Sequence, residues 1–352
     1  MKKNQKNITI LDFDDIKNPL LGAGQAITTY ELGKRLVDKG YRVQVISSRY
    51  PGSKDRVDAG VHYRHIGIPT RNIHWNNLLY ILLLPFVVSS IKTDVFFECF
   101  TAPISTLGTP LWTKTPVVVI PSSFEAERFS KKYHLPFTFI QNNFAKCYKY
   151  FLAFSSYTND KMKKLNPNII SEIIPEGVDS SYFFIRRKKP KHVLMIARFD
   201  IDQKGIDLLL QAYAQLKNTI KFPLVLAGFG PDEKKIKNII QRHNLSDKVL
   251  MPGPMYGDRK RSLLSEAVCV IIPSRHETFS CFSLEAMAAG VPLVTYDIPG
   301  LAWIHSGARI IVPSFDTDKL ASAIKRVIAS KQNRMMSREA RKFAKLFTWE
   351  AM

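Results

Sequence analysis

The chain has 352 residues, and its 51 basic side chains against 30 acidic ones give a formal net charge of +21. Apolar residues make up 45% and charged residues 23%, which excludes a disordered polar chain and suggests two domains with a core each. Four cysteines, Cys99, Cys147, Cys269 and Cys281, form no C-x-x-C pair. That excludes a disulfide scaffold, a zinc ribbon and a thioredoxin-like motif, and fits a reducing compartment.

Residues 8–13 read as a strand, 24–39 as a helix and 42–47 as the next strand. The start is positively charged, but its apolar run stops at Asp12, too early for the core of a leader. The most apolar stretch is 78–88 (LLYILLLPFVV), interrupted by Pro85. It is well short of the ~20 residues that cross a bilayer and reads as a buried helix. Further strands are expected at 94–97, 116–120 and 169–175, with helical segments between. The pattern then restarts. Strands at 192–197, 223–227, 249–251, 268–272, 291–296 and 310–312 alternate with helices that include 206–217 and 232–243.

Strand–helix alternation in two rounds predicts an α/β protein of two Rossmann-like, doubly wound halves facing a cleft. The expected division is 1–180 for the first domain, a linker at 181–190, 191–330 for the second and 331–352 for a C-terminal helix. The run Arg186-Arg187-Lys188-Lys189 reads as a solvated connector. Ligands in such sheets bind beyond the carboxyl ends of strands, so functional residues are sought just after them.

The most informative stretch is 268–292, VCVIIPSRHETFSCFSLEAMAAGVP. A strand ends in a polar loop, and a helix starts near Ser280, Cys281 and Phe282. Its N-terminus offers unpaired amides and partial positive charge, which suit a phosphate. Glu277 and Glu285, eight positions apart, suit sugar hydroxyls instead, because carboxylates accept hydrogen bonds strongly. A nucleotide sugar satisfies both demands. An acidic helix cap beside a solvated glutamate is the simpler alternative from these residues alone.

This segment resembles the Glu-x7-Glu signature of the retaining family 4 glycosyltransferases (group 1), whose fold is GT-B. Ala286-Met287-Ala288-Ala289-Gly290-Val291-Pro292 continues the likeness. The resemblance implies that Glu277 contacts the transferred sugar and Glu285 the ribose. The two places that hold glycine in that family are Thr278 and Ser280 here, flanking Phe279. A second stretch, Ala197-Arg198-Phe199-Asp200 followed by Lys204-Gly205, aligns Arg198 and Lys204 with the family's diphosphate-binding cations. By resemblance this pair replaces a divalent metal, so no cofactor and no metal site is expected. The three scattered D-x-D matches read as chance. Gly228 and Gly230, in a strand–turn–helix, and Pro252, after a further strand, align with segments near the donor. So does Gly24, at the turn Gly22-Ala23-Gly24 of the first half. Each also reads as an ordinary tight turn.

Relatives carry a histidine after an N-terminal strand; here Ser122 stands in that region, with Glu98 and Glu125 nearby. The implied reaction moves a sugar from a nucleoside diphosphate to a hydroxyl on a glycan or lipid-linked glycan, in polysaccharide or glycoconjugate synthesis. The stretch 128–150 mixes cations with aromatics. It reads either as a contact with an anionic membrane surface or as an ordinary amphipathic helix. A cytoplasmic location follows, with peripheral attachment at the inner membrane face on the first of these readings. The alternatives are a nucleotide-sugar epimerase of the same fold, an inactive relative, and a basic nucleic-acid-binding protein. No recognition motif supports the last, so no nucleic-acid partner is expected. The segment 345–350 resembles the start of the family's C-terminal helix, which crosses back onto the first domain and which the chain end would leave short.

Overall fold

A computed structural model describes residues 5–21, 24–101, 108–329 and 333–352 of the chain. The chain divides into two units, Met1–Pro175 and Glu176–Met352.

In the first unit β1 (Asn7–Leu11) is followed by α1 (Gly24–Asp38), β2 (Arg42–Ser48) and a hairpin of β3 (Arg56–Asp58) and β4 (Val61–Ile66). Then come α2 (Ile73–Ser90), β5 (Val95–Thr101), β6 (Val117–Ser123), α3 (Ala126–Tyr133) and α4 (Phe137–Phe144). β7 (Tyr150–Ala153), α5 (Ser156–Leu165) and β8 (Ile170–Ile173) complete the unit. The strands form one sheet in the order β3-β4-β2-β1-β5-β6-β7-β8. All pairs are parallel except β3 with β4. Period-two alternation sends Val43 and Val45 into the cluster under α1, and Ile46 into the cluster that holds Tyr80, Leu84 and Val88 of α2.

The apolar stretch 78–88 is therefore helical, but the expectation of a buried helix is only half met. Tyr80, Leu84 and Val88 are buried, and the Tyr80 hydroxyl donates to the Ile46 carbonyl at 3.1 Å. Leu78, Leu82 and Phe86 on the same helix are 43%, 56% and 73% exposed. A helix laid on one face of a sheet is covered on one side only, and a run apolar all round does not reveal which side.

In the second unit β9 (His192–Ile196), α6 (Ile201–Lys204), α7 (Ile206–Leu216), β10 (Leu224–Ala227) and α8 (Glu233–Arg242) lead to β11 (Val249–Leu250). α9 (Gly257–Glu266), β12 (Ala267–Ile272), α10 (Cys281–Ala288), β13 (Leu293–Tyr296), β14 (Arg309–Val312), α11 (Thr317–Ala329) and α12 (Asn333–Ala344) follow. The sheet is wholly parallel, in the order β11-β10-β9-β12-β13-β14. β12 is buried at every position and β10 and β13 likewise, as expected where helices cover both faces.

The division lies at Pro175–Glu176, within five residues of the expected one, and residues 181–190 make specific contacts within the second unit. Ser180–Phe184 is a 3-10 turn with Tyr182 buried. The Arg187 guanidinium donates to the Leu264 and Ala267 carbonyls, and the Lys188 amide donates to the Ser265 carbonyl at 2.9 Å. Burial pulls the Arg187 pKa down to about 10. Of the basic run, Arg186, Lys188 and Lys189 remain exposed. The C-terminal segment falls in the second unit. α12 packs on α10, with Arg341 donating to the carbonyls of Ile185, Ala288 and Ala289 at 3.0–3.1 Å. Residues 345–350 do not start a helix: the helix ends at Ala344, and Val178 bridges to Thr348.

Because Arg187→Ala removes two charge-assisted hydrogen bonds to the Leu264 and Ala267 carbonyls, it should lower stability by about 1–3 kcal/mol. Denaturant unfolding of the two proteins checks this.

Candidate functional site

In the second sheet the chain moves outward from β9 to β10 and β11, then returns to β12 on the other side and continues to β14. β9 and β12 are neighbours at the point where strand order reverses. Loops leaving two such strands diverge and open a crevice. Arg198 and Lys204 follow β9, and Glu277 follows β12.

The contacts there are specific. Asp200 caps α6 by accepting from the Gln203 amide at 3.1 Å, and Lys204 is the last residue of that helix. Lys204 Nζ lies 2.8 Å from Glu277 Oε1, and the Ser274 hydroxyl donates to the same oxygen at 2.7 Å. Arg198 reaches Asp200 Oδ2 at 3.2 Å and Gln203 Oε1 at 3.3 Å, and its side chain is 45% exposed. The Gln203 carbonyl accepts from the amides of Arg275 and His276, tying the β9 loop to the β12 loop. Arg275 adds a two-pronged contact with Asp207, at 2.9 and 2.7 Å. The turn after β13 also closes on this loop. A Cβ on Gly300 would lie 1.8 Å from the Glu277 carbonyl oxygen, so only glycine fits there.

α10 starts directly after this loop. Its N-cap, Ser280, has φ 75° and ψ 77°, the left-handed region that costs an L-residue roughly 1–2 kcal/mol. This is one of the two places where the resembling family has glycine, and its positive φ is a conformation that favours glycine. The Ser280 hydroxyl pairs with that of Ser283 at 2.8 Å. Glu285, in the second turn of α10, is held by the Tyr182 hydroxyl at 3.0 Å and by an ion pair with Lys260 of α9. Burial and the nearby Glu285 carboxylate keep the Tyr182 hydroxyl protonated.

The structure thus brings Lys204 and Glu277 into contact, sets Arg198 on the same pair of loops, and places Glu285 on the helix that follows. Other candidates act indirectly. Phe279 is buried, stacked on Trp303 with ring centroids 4.2 Å apart, and its carbonyl accepts from the Trp303 indole at 2.6 Å. Its side chain anchors the start of α10 and is not available to a donor. The Cys281 thiol donates to Glu176 Oε2 at 2.9 Å, and burial pushes its pKa up. A Cβ on Gly228 would lie 1.8 Å from the Ala197 carbonyl oxygen, and the Gly228 amide donates to Gly253 beside Pro252. Gly228 therefore lets the loops after β9, β10 and β11 nest together; Gly230 meets the Phe199 backbone in the same way. Gly24 opens α1 in the first unit, while Gly22 and Ala23 lie outside the described residues.

The residues weighed as substitutes for the missing histidine are engaged elsewhere. Ser122 donates to the Phe100 carbonyl at 2.8 Å, and Glu125 pairs with Arg128 at 2.8 Å. Glu98 is 2% exposed, and burial pushes its pKa up to about 8 against hydrogen bonds from Tyr148 and Thr109. It is an interior, protonated acid rather than a surface contact. The reading from sequence missed Ser274, Tyr182, Lys260 and Gly300. Lys260 is one of 51 basic residues and nothing local distinguishes it.

Two outcomes follow. Ser280→Gly should be neutral to stabilising, by up to about 1 kcal/mol, because relief of the left-handed strain offsets glycine's greater freedom when unfolded. Thermal unfolding checks it. Glu98→Gln should stabilise by up to about 3 kcal/mol near pH 7, since a carboxyl with a raised folded pKa loses stability as pH climbs above its unfolded value. The gain should shrink toward pH 4.5 in denaturant titrations.

Two family models match in tandem: "Glycosyltransferase Family 4" over residues 22–182 and "Glycosyl transferases group 1" over 182–343. An MMP alpha-(1->4)-mannosyltransferase from Mycolicibacterium hassiacum is 29% identical over 51% of this chain and 45% of its own. A GDP-mannose:cellobiosyl-diphosphopolyprenol alpha-mannosyltransferase from Xanthomonas oryzae is 27% identical over 76% of this chain and 73% of its own. The matched stretch spans less than half the length of the first of these. Among solved structures, Anabaena HepE in complex with UDP and glucose superposes with a TM-score of 0.76 at 16% identity, over 98% of this chain and 96% of that one, a likeness of fold. Two parallel α/β units and two adjoining family matches make the chain a member of the GT-B glycosyltransferases of family 4, group 1.

Proposed function

We propose that the chain transfers a hexosyl group from a nucleoside-diphosphate sugar to a hydroxyl of a glycan or lipid-linked glycan, with retention of anomeric configuration and without a metal. The observation that carries this reading is the Lys204–Glu277 contact at the switch point of the second sheet, immediately before the N-terminus of α10. The solved fold relative that holds UDP and glucose and the polyprenol-diphosphate mannosyltransferase support the donor and acceptor classes. The setting is the cytoplasmic face of an anionic membrane.

Each residue then has a task. The diphosphate takes the amides at the start of α10, where partial positive charge is fixed in place. Arg198 and Lys204 neutralise the charge that grows on the leaving phosphate, the task a divalent ion has in other transferases. Lys204 has three donors and can keep Glu277 while it meets a phosphate oxygen. Glu277 accepts from hydroxyls of the departing sugar. Glu285, oriented by Tyr182 and Lys260, accepts from the ribose. The acceptor proton passes to the leaving phosphate on the same face of the sugar, so no separate protein base is used. That makes the serine at position 122 tolerable.

Arg198→Ala and Lys204→Ala should each lower kcat by roughly 100-fold or more, read as nucleoside diphosphate released with acceptor present. Activity should persist in excess EDTA. Wild-type turnover in both variants, or abolition by EDTA that magnesium restores, would refute the assignment. Epimerised donor without transfer would favour the epimerase reading.

A further inference from the structure

We propose that the outward face of α2 docks on the surface of an anionic lipid bilayer, lying in the interface plane. Ile73–Ser90 contains no Asp, Glu, Lys or Arg in 18 residues. The helix does not cross a membrane on its own, because Asn76, Tyr80, Leu84 and Val88 bury one side of it against the first sheet. The other side carries Trp75, Leu78, Leu82 and Phe86, which are 56%, 43%, 56% and 73% exposed. At about 100° per residue these four fall within roughly 80° of the circumference, opposite the buried set.

The patch continues beyond the helix at both ends. The His74 ring meets Tyr133 edge-on at 5.9 Å, and Tyr133, Leu135 and Phe139 are 40%, 50% and 69% exposed. At the other end Leu111 and Trp112, 60% and 47% exposed, line one depression with Val88 and Ser89 of α2. The apolar face thus has an indole near each end, the placement that suits the boundary between headgroups and acyl chains. The sequence had pointed to 128–150 alone; the structure makes that stretch the margin of a larger surface centred on α2.

Charge selects the occupant. Exposed Arg71 and Lys132 stand at the first end, with Lys132 Nζ 5.6 Å from the Tyr133 ring centre. Exposed Lys92 and Lys114 line the depression at the second. Acids are also present: Asp94 lines the depression, Glu127 is paired with Lys131 at 2.8 Å and Glu125 with Arg128 at 2.8 Å. A second copy seated on this face would set one cationic rim against another. Anionic headgroups pair with the rim while the acyl region accepts the apolar stripe. The surface stands on its own residues, independently of the proposed reaction.

The test is sedimentation of the full chain with vesicles of phosphatidylglycerol and phosphatidylcholine, compared with phosphatidylcholine alone. Binding to the anionic vesicles is expected, weakening as salt rises and charge is screened. Phe86→Glu should reduce it by roughly tenfold or more, since the lost burial is that of a large aromatic, while Phe86→Leu retains it. Equal melting temperatures would show that the variants fold. The melting shift caused by nucleoside diphosphates reads the donor site separately and should be the same in all three. Failure of wild type to bind anionic vesicles at low salt, or equal binding by Phe86→Glu, would overturn the proposal. So would a concentration-dependent dimer in sedimentation velocity that Phe86→Glu disperses.

Discussion

Lys204 and Glu277 are 73 residues apart in sequence, yet their side chains meet at 2.8 Å. That contact exists because β9 and β12 are neighbours in a sheet whose order reverses between them. Each residue leaves the carboxyl end of its strand on a short, tightly bonded loop. The cation comes from a one-turn helix capped by Asp200, and the acid from a loop pinned by Arg275 and Asp207. The rest of the site is arranged about this pair. Arg198 shares Gln203 with the Lys204 helix, and Ser280, three residues beyond Glu277, caps α10. A charge pair that is 20% and 9% exposed is costly to maintain for stability alone.

Much of the fold was legible from apolar runs. The strands expected at 42–47, 192–197, 223–227 and 268–272 match β2, β9, β10 and β12 to within a residue or two. Buried parallel strands are short, continuous and apolar, which gives them a strong local signal. β3 and β4 carry no such signal. β3 is a three-residue edge strand, and β4 alternates Val61, Tyr63 and His65 with exposed polar residues. The basic run 186–189 looks solvated from sequence, and three of its four residues are exposed. Arg187 is recruited by two carbonyls of α9 and β12, 77 and 80 residues away. Only tertiary structure supplies that partner.

The site was partly legible for a different reason. Glu277, Glu285, Arg198 and Lys204 stand in local motifs whose residue types already state the chemistry. Their supports do not. Tyr182 and Lys260 reach Glu285 from two other segments, and Gly300 is required by a carbonyl 23 residues earlier. Phe279 stands between Thr278 and Ser280 in the sequence, and its ring belongs to the core beside Trp303. Glu98 was weighed as an acceptor contact from its place on a strand, and burial instead keeps it protonated. A periodicity of two assigns a face but not the depth of cover on that face.

The central claim is that a pyrophosphate binds between the Lys204–Arg198 cations and the start of α10. Titration calorimetry of the four common nucleoside diphosphates against wild type and Lys204→Ala tests it most directly. One nucleoside diphosphate should bind the wild type, and its affinity should fall at least about tenfold in the variant, as expected for a charge-assisted phosphate contact. Binding of equal strength by the two proteins would contradict the account.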